Sequence, residues 1–265
     1  MISQTLITVY FVVGILCILL PVLALVIWKG KSGAALSPVF VGAGMFVLFA
    51  LIIEGALNNF ILSSGIGAAI GGNIWLYALF GGLMAGIFEE TGRLAGYKLF
   101  LRRHYRPETA VTYGLGHGGI ECILIVGVTL LGYGINALAI KNGTVSLDAA
   151  ASQELYAMLV AASEAPFTSL WALLERFSAL ILQVSLSVIM FKAVSVPGKL
   201  WLYPVAILIH AFVDGVAVIL AAAATSLVII EGVILIMSLA AAYVAVKMYR
   251  NMKKTMPGES VPYGE

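Results

Sequence analysis

Glu89, Glu90 and Arg93 fall within Gly86 to Gly96, Gly-Ile-Phe-Glu-Glu-Thr-Gly-Arg-Leu-Ala-Gly, a stretch otherwise apolar enough to cross a bilayer. An ionised side chain near the centre of such a helix costs roughly 2.5 to 3.5 kcal/mol, so three together need a reason. Arg93 lies three residues after Glu90 and four after Glu89, spacings that share one helical face, and its guanidinium can brace either carboxylate. Two further pairs follow, His117-Gly-Gly-Ile-Glu121 and His210-Ala-Phe-Val-Asp214, each with a carboxylate four residues after an imidazole. At that spacing the carboxylate can fix the ring's tautomer while the other nitrogen handles a proton or a metal.

Two chemistries use such an inventory. A buried carboxylate held by a guanidinium can take a proton from water, with an imidazole positioning the water or donating to an oxyanion. Alternatively, a divalent metal such as zinc is held by His117, His210 and a carboxylate, Glu89 or Asp214. The sequence has no His-Glu-x-x-His, and both chemistries stay open. The bland reading is an internally neutralised packing cluster. Two His-x-x-x-carboxylate pairs beside a Glu-Glu pair weigh against it.

The elements that must position these groups are membrane helices. Hydrophobic residues make up 62% of the 265 positions, charged ones 11%, and the mean hydropathy is +1.05. An average soluble chain has about 25% charged residues. The net charge of +2 implies no nucleic-acid partner, because the basic residues form short clusters between apolar runs. Cys17 and Cys122 both lie in apolar segments, which indicates neither a disulfide framework nor a cysteine zinc site.

The expected fold class is all-α, a polytopic helical bundle forming one integral membrane domain over 1–265. About seven spans are expected, near 5–28, 35–62, 73–103, 109–140, 168–194, 199–223 and 227–250, with a polar, disordered tail over 255–265. The sixth span is expected to kink at Pro204. Between the fourth and fifth spans, Leu155, Met158 and Leu159 recur at helical spacing and suggest a short amphipathic helix on the membrane surface.

Seven spans put 12 of the 15 Lys and Arg residues on one side, from Lys29 and Lys31 through Arg102 and Arg103 to Lys253 and Lys254. By the positive-inside rule the N-terminus is outside, the C-terminus is cytoplasmic, and the protein is a multi-pass component of the cell membrane. At about 1.5 Å per residue, Glu89, His117 and His210 then lie at depths agreeing within about 4 Å. The expected site is a cavity opening toward the cytoplasm, with Gln183 able to line it.

The run Gly114-Leu115-Gly116-His117-Gly118-Gly119 is poor helix sequence, each interior Gly costing about 1 kcal/mol. Close helix packing, as Gly82 and Gly86 also suggest, and a bare backbone beside a substrate strand explain it equally well. The remaining intramembrane charges, Glu54, Glu175, Arg176 and Glu231, are expected to be paired structural groups outside the site.

A double glutamate with an arginine on the third helix, a histidine on the fourth and a His-x-x-x-Asp on a later helix resembles the type II CAAX-protease (CPBP) superfamily. Within it, the chain is similar to the YhfC-like family. The resemblance runs from about Phe88 to Gly215, and Glu175-Arg176 with Gln183 resembles the family's pattern as well. Two features differ from the CAAX-type pattern: the spacing is Glu89-Glu90-x-x-Arg93 rather than Glu-Glu-x-x-x-Arg, and Asp214 stands where an Asn is usual.

The resemblance implies an intramembrane peptidase acting on a membrane protein or peptide. Its catalytic residues would be Glu89, Glu90, His117, His210 and Asp214, with Arg93, Glu121 and Gln183 in support. Glu89 would activate water with help from His117, His210 would donate to the oxyanion, and Asp214 would orient His210. Two other classes fit the same inventory. A proton-coupled transporter would also bury Glu, Asp, His and Arg, although no internal repeat is found. A non-catalytic scaffold would tolerate loss of the histidines.

Overall fold

The computed structural model describes residues 1–104, 106–146 and 148–256, and the described chain is helical with no strand. Local chemistry sets several helix ends. Ser3 caps α1 (Gln4–Ser32) by accepting from the Leu6 N–H, and Gly33, at φ 63, ends it with an N–H to the Lys29 carbonyl. Next come α2 (Ser37–Leu62), with Pro38 in its first turn, and the short α3 (Gly65–Gly71). Asn73 then caps α4 (Ile74–Phe100) by accepting from the Trp75 and Leu76 N–H groups. After these follow α5 (Glu108–Lys141), α6 (Ala150–Ala162), α7 (Pro166–Ser195), α8 (Leu202–Ala222) and α9 (Leu227–Thr255).

Six of these, α1, α2, α5, α7, α8 and α9, are long and apolar enough to cross a membrane; α4 with α3, bent by 111° between them, makes a seventh candidate. The protein is a multi-pass membrane protein. Apolar side chains such as Phe40, Phe60, Trp75, Phe212 and Ile236 are exposed on the outside of the bundle, as a lipid solvent requires. Helix α7 is the most buried of the six: 67% of its apolar stretch is buried, against 22% or less for the other five.

Close approach through small residues brings the site helices together. A Cβ on Gly82 would stand 2.3 Å from the Ala211 carbonyl oxygen, and one on Gly86 2.7 Å from that of Ile207, so α4 lies directly on the backbone of α8. The glycines around His117 do the same for α5. A Cβ on Gly116 would meet the Val39 carbonyl oxygen of α2 at 2.1 Å, one on Gly114 the Val184 Cα of α7 at 2.6 Å, and one on Gly119 the Pro21 Cβ of α1 at 3.1 Å. Of the two explanations open from the sequence, helix packing is the one these contacts support.

Two expectations change. Helix α8 begins at Leu202, which puts Pro204 in its first turn, where a missing N–H leaves no helical bond unmade and no kink is needed. Helix α9 runs on to Thr255, and most of the tail, 257–265, lies outside the described residues. Helix α6 forms where Leu155, Met158 and Leu159 recur; Leu159 is fully buried, with Leu155 packed beside it, against Leu6, Ile7, Tyr10 and Ala137, while Met158 is exposed.

Candidate active site

Successive residues on a helix point about 100° apart, so Glu89 and Glu90 address different neighbours. Glu89 turns to α5, where its Oε2 lies 2.9 Å from His117 Nε2. Glu90 turns to α8, where its Oε1 lies 2.9 Å from His210 Nδ1. Arg93, fully buried, donates to Glu90 and has its other terminal nitrogen 3.8 Å from Glu89 Oε2. The bracing expected from the spacing is therefore present. Breaking such a buried pair by removing one partner costs about 3 to 5 kcal/mol, because the survivor is left charged and dry.

The histidines are held by the glutamates of α4, which the sequence pattern did not indicate. Glu121 does not orient His117; its oxygens take Arg176 Nη1 at 2.9 Å and Gln183 Nε2 at 2.7 Å. Asp214 stands 3.5 Å from His210 Nε2, within ion-pair range, while Glu90 makes the hydrogen bond to that ring. The i,i+4 pairs were possible neighbours, but partners across the helix interface came closer.

Gln183 joins two charged clusters. Its carbonyl accepts from Arg93, and its amide nitrogen donates to Glu89 Oε2 at 3.0 Å and to Glu121 Oε2 at 2.7 Å. Only this amide orientation works, because the flipped one would set N–H groups against a guanidinium and an oxygen against two carboxylates. Beyond Glu121, Arg176 also pairs with Glu175.

Glu89, Gln183, His210 and Asp214 line a cavity of about 140 Å³ between α4, α5, α7, α8 and α9. Its other walls include Glu175, Arg176 and Glu231, three residues expected to lie outside the site. The lining residues of α7, α8 and α9 run from about the middles of those helices toward the ends away from the Lys- and Arg-rich clusters. Glu231 sits just four residues into α9, a depth that could have tied it to Glu175 and Arg176 from sequence alone. Glu54 stays outside, accepting from Asn58 Nδ2 at 3.1 Å.

Residues 16–235 match the family described as YhfC intramembrane metalloprotease. A curated relative, the uncharacterised membrane protein YhfC of Bacillus subtilis (strain 168), is 34% identical over 225 residues, covering 83% of this chain and 86% of that protein. The chain belongs to the YhfC intramembrane metalloprotease family. No solved structure matches it at a significant level. The family match ends at residue 235, beyond Glu231, so it spans every residue of the cavity walls named above.

The family's description implies a metal, and the donor set can be compared with that expectation. Among the described residues no group of three or more His, Cys, Asp or Glu side chains is placed to hold a metal ion. The donor types, imidazole and carboxylate, are ones that zinc takes, but only neighbouring pairs of them approach a ligand spacing. Tetrahedral zinc with bonds of about 2.0 to 2.1 Å sets its ligand atoms about 3.3 Å apart. Here His117 Nε2 to Glu89 Oε2 is 2.9 Å, Glu89 Oε2 to His210 Nε2 3.9 Å, and His210 Nε2 to Asp214 Oδ2 3.5 Å.

Hydrogen-bond bookkeeping points the same way at His210. Its Nδ1 is engaged by Glu90, so its Nε2 faces the carboxylates of Glu89 and Asp214. A bare lone pair there would repel both, and the arrangement is satisfied by a proton on Nε2 or by a cation among the three groups. Glu90 is also the outer carboxylate that a ligating imidazole needs. His117 is less complete, because its buried Nδ1 has no partner among the described residues.

Proposed function

We propose that the protein hydrolyses a peptide bond of a membrane protein or peptide inside the bilayer, with Glu89 as the base that takes a proton from water. The observation that carries this reading is the division of labour within the glutamate pair. Glu89 lines the cavity and keeps contact with His117, whereas Glu90 is fully buried and committed to Arg93 and His210. A base must reach the water it deprotonates, and Glu89 is the one of the two placed to do so.

The roles follow from the contacts. His117, hydrogen-bonded to Glu89, positions the water against that carboxylate. His210, fixed by Glu90 on one side, presents Nε2 to the cavity, from which, when no metal is held there, it donates to the oxyanion formed when water attacks the carbonyl. Gln183 and Arg93 hold Glu89 in place, and Asp214 steadies His210. A divalent metal such as zinc would be held by His117 and His210 with the carboxylate of Glu89 or Asp214, and when bound supplies Lewis-acid polarisation and acidifies water. When Asp214 completes that set, Glu89 remains the base. The whole chain acts as one membrane domain in this reading, the N-terminus is outside, and the basic helix ends and C-terminus face the cytoplasm. The same residues support placement with the CAAX-type intramembrane proteases.

The test is cleavage of candidate transmembrane peptides by purified protein in nanodiscs, with and without chelator. Peptide products that disappear with Glu89→Gln are expected. pH-dependent uptake of a small solute into proteoliposomes with no peptide product would replace this reading by a proton-coupled transporter.

A further inference from the structure

Glu231 and Ser238 lie on the cavity wall formed by α9, seven residues or about two turns apart and so on one face of the helix. Glu231 is 6% exposed and Ser238 0% exposed, and neither Glu231 Oε2 nor Ser238 Oγ has a hydrogen-bond partner among the described residues. A carboxylate and a hydroxyl left without donors inside a bilayer cost several kcal/mol unless something else completes them. Arg176, on α7, is the guanidinium that lines the same cavity, and Glu121 and Glu175 already share it. Asp214, across the cavity, adds a further carboxylate. The cavity thus has an acidic surplus, acceptors in want of a donor, and a volume of about 140 Å³ that exceeds the ~30 Å³ share of a single water several-fold.

We propose that Glu231 and Ser238 form a recognition subsite for a basic side chain of the substrate, next to the peptide bond presented to Glu89. The ammonium of a lysine supplies the donors that Glu231 lacks, and its charge is neutralised there as it leaves water, while Ser238, about 10 Å further along α9, takes a neighbouring polar group of the same substrate. This substrate class rests on the proposed peptide hydrolysis, since the subsite and Glu89 line one cavity. Peptides that replace the basic residue with a neutral one leave Glu231 unpartnered, and peptides with an acidic residue there meet like charge. Both should be rejected, the second more strongly.

The experiment measures binding and cleavage separately. Full-length protein in nanodiscs of zwitterionic lipid is titrated with fluorescent apolar peptides carrying a single Lys scanned along the sequence, and with twins carrying Met or Glu in its place. The best Lys peptide is expected to bind more tightly than its twins, and Glu231→Gln to weaken that peptide about 30-fold while leaving the Met twin unchanged. Ser238→Ala should weaken it by a smaller factor. Equal affinity for the three peptides, or an undiminished Lys preference in Glu231→Gln, would overturn the subsite. Cleavage of the same peptides separates the two ideas. Lys-dependent binding without products upholds the subsite and removes peptide hydrolysis, whereas products formed without regard to charge do the reverse.

Discussion

Glu89→Gln preserves the size of the side chain and one carbonyl acceptor while removing the negative charge. The amide oxygen can still accept from Gln183, now 3.0 Å from Glu89 Oε2, so a charge-assisted hydrogen bond becomes a neutral one at a cost of about 1 kcal/mol. Arg93 keeps its direct partner, because it is bonded to Glu90 and only 3.8 Å from Glu89. Stability should therefore change little. Turnover should fall about 10² to 10⁴-fold, equivalent to about 2.7 to 5.4 kcal/mol of barrier, which is what a positioned general base contributes. Glu90→Gln should show the opposite pattern: it removes the carboxylate shared by Arg93 and His210, and the uncompensated guanidinium should cost about 3 to 5 kcal/mol of stability. Both variants can be compared by equilibrium unfolding of purified protein in mixed micelles and by cleavage of one fluorogenic transmembrane peptide. Full turnover by Glu89→Gln, or a Glu90→Gln protein as resistant to unfolding as the parent, would refute the division of roles between the two glutamates.

Three other outcomes are expected. Elemental analysis of protein purified without chelator should find about one zinc per chain, lost in His210→Ala; equal metal content in the two proteins would remove His210 from the donor set. A cysteine replacing Arg106 should escape a membrane-impermeant thiol reagent in intact cells, and labelling there would reverse the orientation. Gly116→Ala should destabilise the bundle by about 1 to 3 kcal/mol because its Cβ would stand 2.1 Å from the Val39 carbonyl oxygen, whereas Gly132→Ala, with open space around it, should not. Unfolding measurements that rank these two glycines the other way would contradict the packing of α2 on α5.

What the sequence made legible was chiefly axial. Apolar runs and basic clusters give length and depth, and these sufficed for an all-helical membrane bundle with Glu89, Glu90, Arg93, His117, Gln183, His210 and Asp214 at nearby levels. The rotation and lateral order of the helices are not coded in depth, and the unexpected partnerships depend on both. His117 and Glu121 have the spacing of a pair, yet α7 brings Arg176 and Gln183 to Glu121 while α4 brings Glu89 to His117. The residues that decide this are small. Gly82 and Gly86 allow α4 to rest on the backbone of α8 at Ala211 and Ile207, close enough for Glu90 to bond His210 Nδ1 at 2.9 Å, while Asp214 remains 3.5 Å from Nε2. The ring is then held by a glutamate one helix away, and its Nε2 is turned toward the cavity, between Asp214 at 3.5 Å and Glu89 at 3.9 Å. Glycines that carry no chemistry of their own thus determine which nitrogen of His210 is available for it.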